Sequence, residues 1–551
     1  MAEFNLIDQK WIPCIDLHDQ RVDYGIRDTL LKAHELREIC DDSPLVTVAL
    51  HRLLLAILYR VHSDPHDFNG PRDFAAWKEL YDCGSFNLSK VTVYLEKCSN
   101  RFDLFADSHP FFQLTELETR KAISVTRLAT ECASGNNATL FDHSNDEQEV
   151  YWPPAQAAKN LLACQSFALG FGKSGNAKIN GKDEALPYSA DAIALRGMSI
   201  LLQGKTLFDT LMINLSPNED NSLPPWELDD SHKYRDKLNG KNRRAVASFG
   251  IVDRLTWQSR LVRLLPNNGI SSTMYFTQGR FADKSPGDPM KVYRTSKEEG
   301  IFAVSLSSGK AAWRDAHAIL TLPPSNSDER RPECFNLVAR ARSTGAVQQG
   351  RQFVAHVVGL ASAPNKAGKF LLWRHERIPV PAVLLADVNL IERLGGLLQN
   401  AEQAASELNR RARRIAKLYL APDAESPDGR QADKEEVTVT KVADAIDPRP
   451  AYWARLEKHF FALLENLPND WDATNDDWKP DSHQTATNAW REHVKDEARR
   501  ALTESIRSLG TTARAIQAVA RVRTDFNDSD LLPQPQRTAK TKQKSKGGKK
   551  E

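Results

Sequence analysis

Up to about residue 376 the chain alternates short apolar runs with Gly, Pro and Asn punctuation. The segments Val292 to Arg294, Ile301 to Leu306 and Phe353 to Leu360 predict strands. Helices are interspersed, most clearly at Leu45 to Val61, where Val46, Ala49, Leu53, Ala56, Ile57 and Val61 recur near helical spacing. After Pro379 and Pro381 the period changes. Leu394, Leu397, Leu398, Ala401, Ala405, Leu408, Ala412 and Ile415 then follow a 3.6-residue repeat over one long helix. Trp453, Leu456, Phe460, Leu463 and Leu467 line a second, and Trp490, Val494, Ala498, Ala501, Leu502 and Leu509 a third. Ala513 to Val522 supplies a shorter fourth after Gly510, and the Pro, Asp and Gly cluster Pro422 to Arg430 separates the first helix from the second. The pattern predicts an α+β class: a large mixed domain over 1–376, then a C-terminal four-helix bundle over 377–530. Residues 531–551 complete the chain as a disordered basic tail, because Pro, Gln, Lys and Gly leave little to bury.

At 551 residues the chain exceeds what one hydrophobic core organises. Lys and Arg number 74 against 72 acidic residues, so the net +2 does not announce a nucleic-acid binder and any such contact must be local. Seven scattered cysteines contain no C-x-x-C pair, which argues against a disulfide framework or zinc knuckle and suits a reducing cytoplasm. The N-terminus lacks a basic segment followed by an apolar one, and no apolar run approaches the roughly 20 residues a membrane span needs, so no membrane partner is expected.

Gly170-Phe171-Gly172-Lys173-Ser174-Gly175 evokes a phosphate-binding P-loop, but Phe167 stands where that motif needs its first glycine. What remains is a glycine-rich, lysine-bearing loop whose backbone can approach another surface closely, or an ordinary flexible turn. Ser134 to His143 reads as an exposed polar loop. Its Phe141 can stack on an unpaired base, worth on the order of 1–3 kcal/mol, or anchor the loop to its own core. Arg410, Arg414 and Lys417 share one face of the first long helix, with Arg413 adjacent. Such a stripe is a solvated face or a set of phosphate contacts, and the same choice applies to the lysines of the tail. His18-Asp19 and His66-Asp67 resemble fragments of a metal phosphohydrolase, and Cys132 with His143 a thiol dyad. Isolated pairs do not supply the further ligands such chemistry needs.

Three separated stretches carry more identity: Asn5 to Pro13 (NLIDQKWIP), Phe102 to Gln113 (FDLFADSHPFFQ) and Leu255 to Arg260 (LTWQSR). Their order and spacing resemble the CasA large-subunit family of the type I-E CRISPR surveillance complex Cascade. The resemblance implies a noncatalytic subunit that recognises the protospacer-adjacent motif (PAM) in double-stranded DNA, promotes guide-RNA R-loop formation and helps recruit a helicase-nuclease. Its implied partners are the other Cascade subunits, the CRISPR guide RNA, double-stranded target DNA and that helicase-nuclease.

By the same resemblance, Gly170, Gly172, Lys173 and Gly175 form a loop entering the minor groove beside the PAM. Asn137 and Phe141 lie near the guide RNA's 5′ handle and the PAM, as DNA-binding candidates, and Arg280 takes the place of a lysine that contacts the PAM duplex. Asn365, Lys366 and Ala367 occupy the strand-separating wedge, where Ala367 replaces a glutamine tip. Trp226, Trp257, Trp313, Arg314, Asp315 and Thr206 to Leu211 read as scaffold. Where a relative carries a cysteine cluster this chain has Asn267-Asn268-Gly269, so no metal or cofactor is expected. A metal-dependent phosphohydrolase and a purely structural assembly protein are the alternatives.

Overall fold

The computed structural model describes residues 3–62, 72–129, 150–170, 176–179, 181–185, 189–218, 222–228, 245–283, 285–307, 309–324, 326–362, 370–423, 436–472 and 474–531. The chain divides into two compact units, Met1–Ile391 and Glu392–Glu551. The expected boundary at 376 falls inside the strand Phe370–Pro381, because the prolines taken as its marker close that strand. Proline is tolerated there because Phe370–Pro381 lies at the edge of its sheet.

Unit Met1–Ile391 is built from small sheets and helices, and all pairings between its named strands are antiparallel. Its longest pairing is the hairpin Gln352–Ser362 with Phe370–Pro381, extended on one side by Ser199–Gln203. Arg260–Asn267 pairs with Ile270–Gln278 through a tight turn in which Asn268 and Gly269 both take positive φ.

The three identifying stretches meet in space. Leu6 N–H donates to Phe102 O at 2.9 Å and Leu104 N–H to Phe4 O at 3.0 Å, which joins the first stretch to the second. Trp11, 2% exposed, donates its indole N–H to Leu6 O at 2.9 Å, so the buried ring leaves no polar atom unpaired. The Gln113 side chain donates to Leu104 O and accepts from Leu264 N–H, both at 2.8 Å, and so ties the second stretch to the strand that begins at Arg260.

Helix Pro44–Val61 starts where the Ser43 hydroxyl accepts from Val46 N–H and Pro44 occupies the first turn. It is the one described helix long and apolar enough to cross a membrane by length and composition, which corrects the expectation that no run approaches that length. All its residues but Thr47 and Arg60 are buried within the protein, so it reads as a core helix. Arg52 on this helix pairs with Asp288 at 2.9 Å, both side chains at most 1% exposed, and donates to Arg254 O at 2.9 Å. Burial would raise the Asp288 carboxyl, but Arg52, Lys291 and Arg254 outweigh it and hold the group below the ordinary range.

Unit Glu392–Glu551 takes in all but the first four residues of the long helix Val388–Leu420, and Arg449–Asn466, Thr485–Ser505 and Ala513–Ala520 follow. A further helix, Glu436–Ala445, packs Val439 and Ala443 against Ala416. Tyr452 is fully buried and donates its hydroxyl to Ala401 O at 3.0 Å, and Trp490 donates to Leu397 O at 3.0 Å. The expected second stripe began one residue late, since Tyr452 rather than Trp453 leads the buried face. Leu531, expected to open the disordered tail, is buried and accepts from Asn400 at 3.0 Å, while residues 532–551 lie outside the described residues.

Candidate nucleic-acid interface

The identifying stretch Leu255 to Arg260, of which Trp257 alone reads as scaffold, is the platform at the base of two candidate loops. Its last residue, Arg260, is 1% exposed. Its guanidinium donates to Leu169 O at 2.8 Å and Ala168 O at 3.3 Å on one side, and to Ala190 O at 2.7 Å on the other. These carbonyls flank the segment that begins at Gly170 and returns at Ser189. Further bonds close this neck: Ala192 N–H to Ala168 O at 2.8 Å, Ala194 N–H to Ser166 O at 2.9 Å, and Gly170 N–H to the Asp191 carboxylate at 2.8 Å. Arg196 donates to the same carboxylate at 2.6 Å. Burial draws the Arg260 pKa down to about 10, still far enough above neutrality for the group to stay charged.

A Cβ at Gly170 would lie 2.8 Å from Ser189 O, so the neck is too narrow for a side chain. Beyond it the chain forms the hairpin Asn176–Ile179 with Lys182–Ala185, whose first strand also pairs with Leu117–Thr119. Residues 171–175, between that neck and the hairpin, lie outside the described residues.

The second loop is the turn Gly279-Arg280. Gly279 N–H donates to Ser259 O and Arg280 N–H to Gln258 O, both at 2.9 Å. A Cβ at Gly279 would stand 2.4 Å from Gln258 O, so glycine is what lets the two backbones meet. Arg280 is not an isolated surface charge: its side chain is 10% exposed and grips Asp253 with both terminal nitrogens, the longer bond at 3.0 Å. The guanidinium also lies 3.6 Å from the Trp257 ring centroid. Any contact it makes with a duplex competes with this carboxylate.

The Gln278 amide links the loops. Its oxygen accepts from Ala190 N–H at 2.8 Å and Arg260 at 3.1 Å, while its nitrogen faces Ser259 O, Arg280 O and Gly279 O at 3.2, 3.4 and 3.5 Å. The oxygen's partners are donors and the nitrogen's are acceptors, so the amide orientation follows from chemistry. Arg260, Gln278, Asp191 and Asp253 escaped the sequence reading. Arg260 closes one of the identifying stretches and Gln278 precedes Gly279 directly, which was the available signal.

Asn137, Phe141, Gly172, Lys173, Gly175, Asn365, Lys366 and Ala367 lie outside the described residues, as do Cys132, His143, His66 and Asp67. The wedge candidates nevertheless have a defined base, because the pairing Ser362 with Phe370 makes 363–369 the connection of the long hairpin. Arg374 is held at that base by Ser307 O and Lys310 O, at 2.8 and 2.7 Å. Asp19, half of one suspected metal pair, is a turn residue at φ 64° that pairs with Arg37.

On the long helix Arg410 is the open cation, 67% exposed, though bonded to Glu407 at 2.6 Å, and Arg413 pairs with Glu436. Arg414 and Lys417 are half-buried and engaged. The neighbouring Arg411 is 5% exposed, bridges Glu407 and Asp530, and lies 4.0 Å from the Phe526 ring centroid. The basic stripe is therefore largely tied into the fold.

These features are two loop bases held by buried side-chain-to-backbone bonds on a mixed helix-and-sheet unit. The family model described as CRISPR-associated protein Cse1 matches residues 5–501. CRISPR-associated protein CasA/Cse1 of Thermus thermophilus is 31% identical over 536 residues, 96% of this chain and 97% of the relative. The crystal structure of CasA from Thermus thermophilus superposes with TM-score 0.74 at 26% identity, covering 94% of this chain and 98% of that one. Cse1 from Acidimicrobium ferrooxidans shares the fold at TM-score 0.73 and 22% identity, over 95% and 96% of the two chains. The chain belongs to the CasA/Cse1 family of CRISPR-associated proteins.

Proposed function

We propose that this chain is the noncatalytic large subunit of a cytoplasmic type I-E Cascade complex, recognising the PAM in double-stranded DNA. In this reading the glycine segment and the Arg280 turn take the first hold on the duplex. The connection 363–369 then opens base pairs so that the guide RNA can form an R-loop, and the assembled complex helps recruit the helicase-nuclease. A structural neighbour in a CRISPR RNA-guided surveillance complex, at TM-score 0.67 and 22% identity over 95% of this chain and 99% of that one, is in keeping with such an assembly. The observation that carries the DNA role is the shared platform, which holds the base of both loops with one arginine and one glutamine. The helices Val388–Leu420, Arg449–Asn466, Thr485–Ser505 and Ala513–Ala520 act as a four-helix bundle beside the displaced strand, where Arg410, Arg413, Arg414 and Lys417 meet phosphates in exchange for the partners they now hold.

The test is binding by the complex reconstituted with guide RNA, comparing a duplex bearing the PAM with one in which it is scrambled. A preference of tenfold or more supports the reading. Equal affinities would make the chain a structural assembly subunit, and metal-dependent cleavage lost in His66→Ala with Asp67→Ala would make it a phosphohydrolase.

A further inference from the structure

We infer that His459, His493 and Glu497 form a proton-sensitive joint between the helices Arg449–Asn466 and Thr485–Ser505, closed while at least one imidazole is neutral and loosened when both carry a proton. The joint lies wholly within unit Glu392–Glu551 and owes nothing to the DNA reading. Its two rings stack face to face across the helix pair, with centroids 3.7 Å apart and planes 21° from parallel. Glu497 follows His493 by one helical turn, and its side chain is 4% exposed. Its Oε1 accepts from Arg500 at 3.1 Å and stands 3.7 Å from His459 Nε2, too far for a hydrogen bond. Neither His459 Nε2 nor Glu497 Oε2, both buried, has a hydrogen-bond partner among the described residues. Next to the rings the helices touch through apolar side chains: Phe460 meets Trp490 edge-on at 6.1 Å, and Leu456 and Val494 are fully buried. Repulsion between two stacked imidazolium ions would therefore act where the helices are in closest contact.

The charged and titratable groups that bear on His459 are His493 and Glu497 from the facing helix and Lys458 from its own. Asp496, beside Glu497, is taken up by Arg499 at 2.7 Å. One carboxylate can balance one imidazolium, and a second proton on the pair meets only like charge. Burial first, then His493 and Lys458, outweigh Glu497 and draw the His459 imidazole below its ordinary value. The folded chain thus refuses a proton that the unfolded chain accepts, so the joint is most stable above about pH 6.5 and weakens as pH falls below it. A second link across these helices, Arg455 with Glu504, persists in that range because its hydrogen bond with Arg455 holds the carboxyl below the usual carboxylate values.

The experiment titrates the full chain, carrying isotope-labelled histidine, by NMR, with the His459 and His493 signals assigned by their loss in His459→Gln and His493→Gln. Hydrogen exchange is followed at amides 456–463 and 490–497 at about pH 7 and about pH 5.5. His459 should titrate below the ordinary value of about 6.5. His493→Gln should move it up and Glu497→Gln should move it down, each by about half a unit or more. Exchange corrected for its intrinsic pH dependence should quicken about threefold or more in both segments at the lower pH, and stay nearly constant when His459→Gln and His493→Gln are combined. A plain aromatic stack would give neither the opposite shifts nor the acid response. The wild-type titration decides the matter even where a variant does not fold. A His459 that titrates at or above its ordinary value, shifts of the same sign in the two single variants, or acid-quickened exchange that survives in the double variant would each overturn the inference.

Discussion

Two glycines show how much one missing methyl group decides. At Gly279 an added Cβ would meet backbone at 2.4 Å and 2.8 Å, and backbone on both sides cannot move aside as a flexible side chain would. Gly279→Ala should lower stability by about 1–3 kcal/mol, the scale of overpacking, read as a reduced urea midpoint. Gly396 lies exposed on helix Val388–Leu420 with nothing within 4 Å of its Cβ position. There Gly396→Ala should raise stability by about 0.5–1 kcal/mol through lost backbone freedom in the unfolded chain, and a fall would mean that the open surface is occupied. Glycine richness alone announces both positions equally. Which one is crowded depends on Gln258 and Arg260, neighbours only in the folded chain. For the same reason Arg280 was legible as a cation but its pairing with Asp253 was not, since 27 residues separate them.

The long hairpin Gln352–Ser362 with Phe370–Pro381 was half legible. Its first strand appeared as an apolar run from Phe353 to Leu360, while the second, with Arg374, His375, Glu376 and Arg377, is polar because it lies at the edge. Long helices declared themselves through many apolar repeats, but Glu436–Ala445 is too short for its period to stand out. The hairpin also carries a pH dependence. His356 Nε2 donates to Gln203 Oε1 at 2.7 Å and its Nδ1 meets His375 Nε2 at 3.0 Å, and burial first, then Arg377, His375 and His51, pulls its pKa down to about 3. Burial likewise takes His51 down to about 4, although its bond to Thr47 O works the other way. As pH falls below about 6.5 the unfolded chain takes up protons that the folded one refuses, so stability falls toward acid. Each of the two should cost about 1 kcal/mol between pH 7 and pH 5.5. Urea midpoints at those pH values test this, and His356→Gln should flatten the slope; an unchanged slope would mean that His356 titrates normally. At the hairpin's far end, Asn365→Ala with Lys366→Ala should slow R-loop formation more than PAM binding. A target mismatched beside the PAM should restore the rate, because those pairs no longer need opening at a few kcal/mol per step. Equal losses on both targets would reassign these residues to holding phosphate.

At the scale of the whole chain, the balance of charge hides an asymmetry that bears on the proposed contact with DNA. Residues 533–551 hold Arg537, Lys540, Lys542, Lys544, Lys546, Lys549 and Lys550 against Glu551, a net +6, so with the full chain at +2 the remaining residues carry −4. A body of that sign, whose described cations Arg280, Arg410 and Arg413 are already paired with carboxylates, attracts a polyanion weakly. On the function proposed above, the tail is expected to supply long-range attraction and the loops based on Arg260 and Gln278 the discrimination. Removing 533–551 should therefore weaken binding of the complex to duplex lacking the PAM several-fold at low salt. The slope of log affinity against log salt should become shallower by up to about 0.9 for each phosphate that is no longer neutralised. The ratio of affinities for PAM-bearing and scrambled duplex should stay unchanged, since lysines on phosphates read no sequence. Salt titrations of both complexes on both duplexes separate the possibilities. An unchanged slope would leave the tail as a solubilising segment, and a reduced ratio would give it a part in recognition that its composition does not explain.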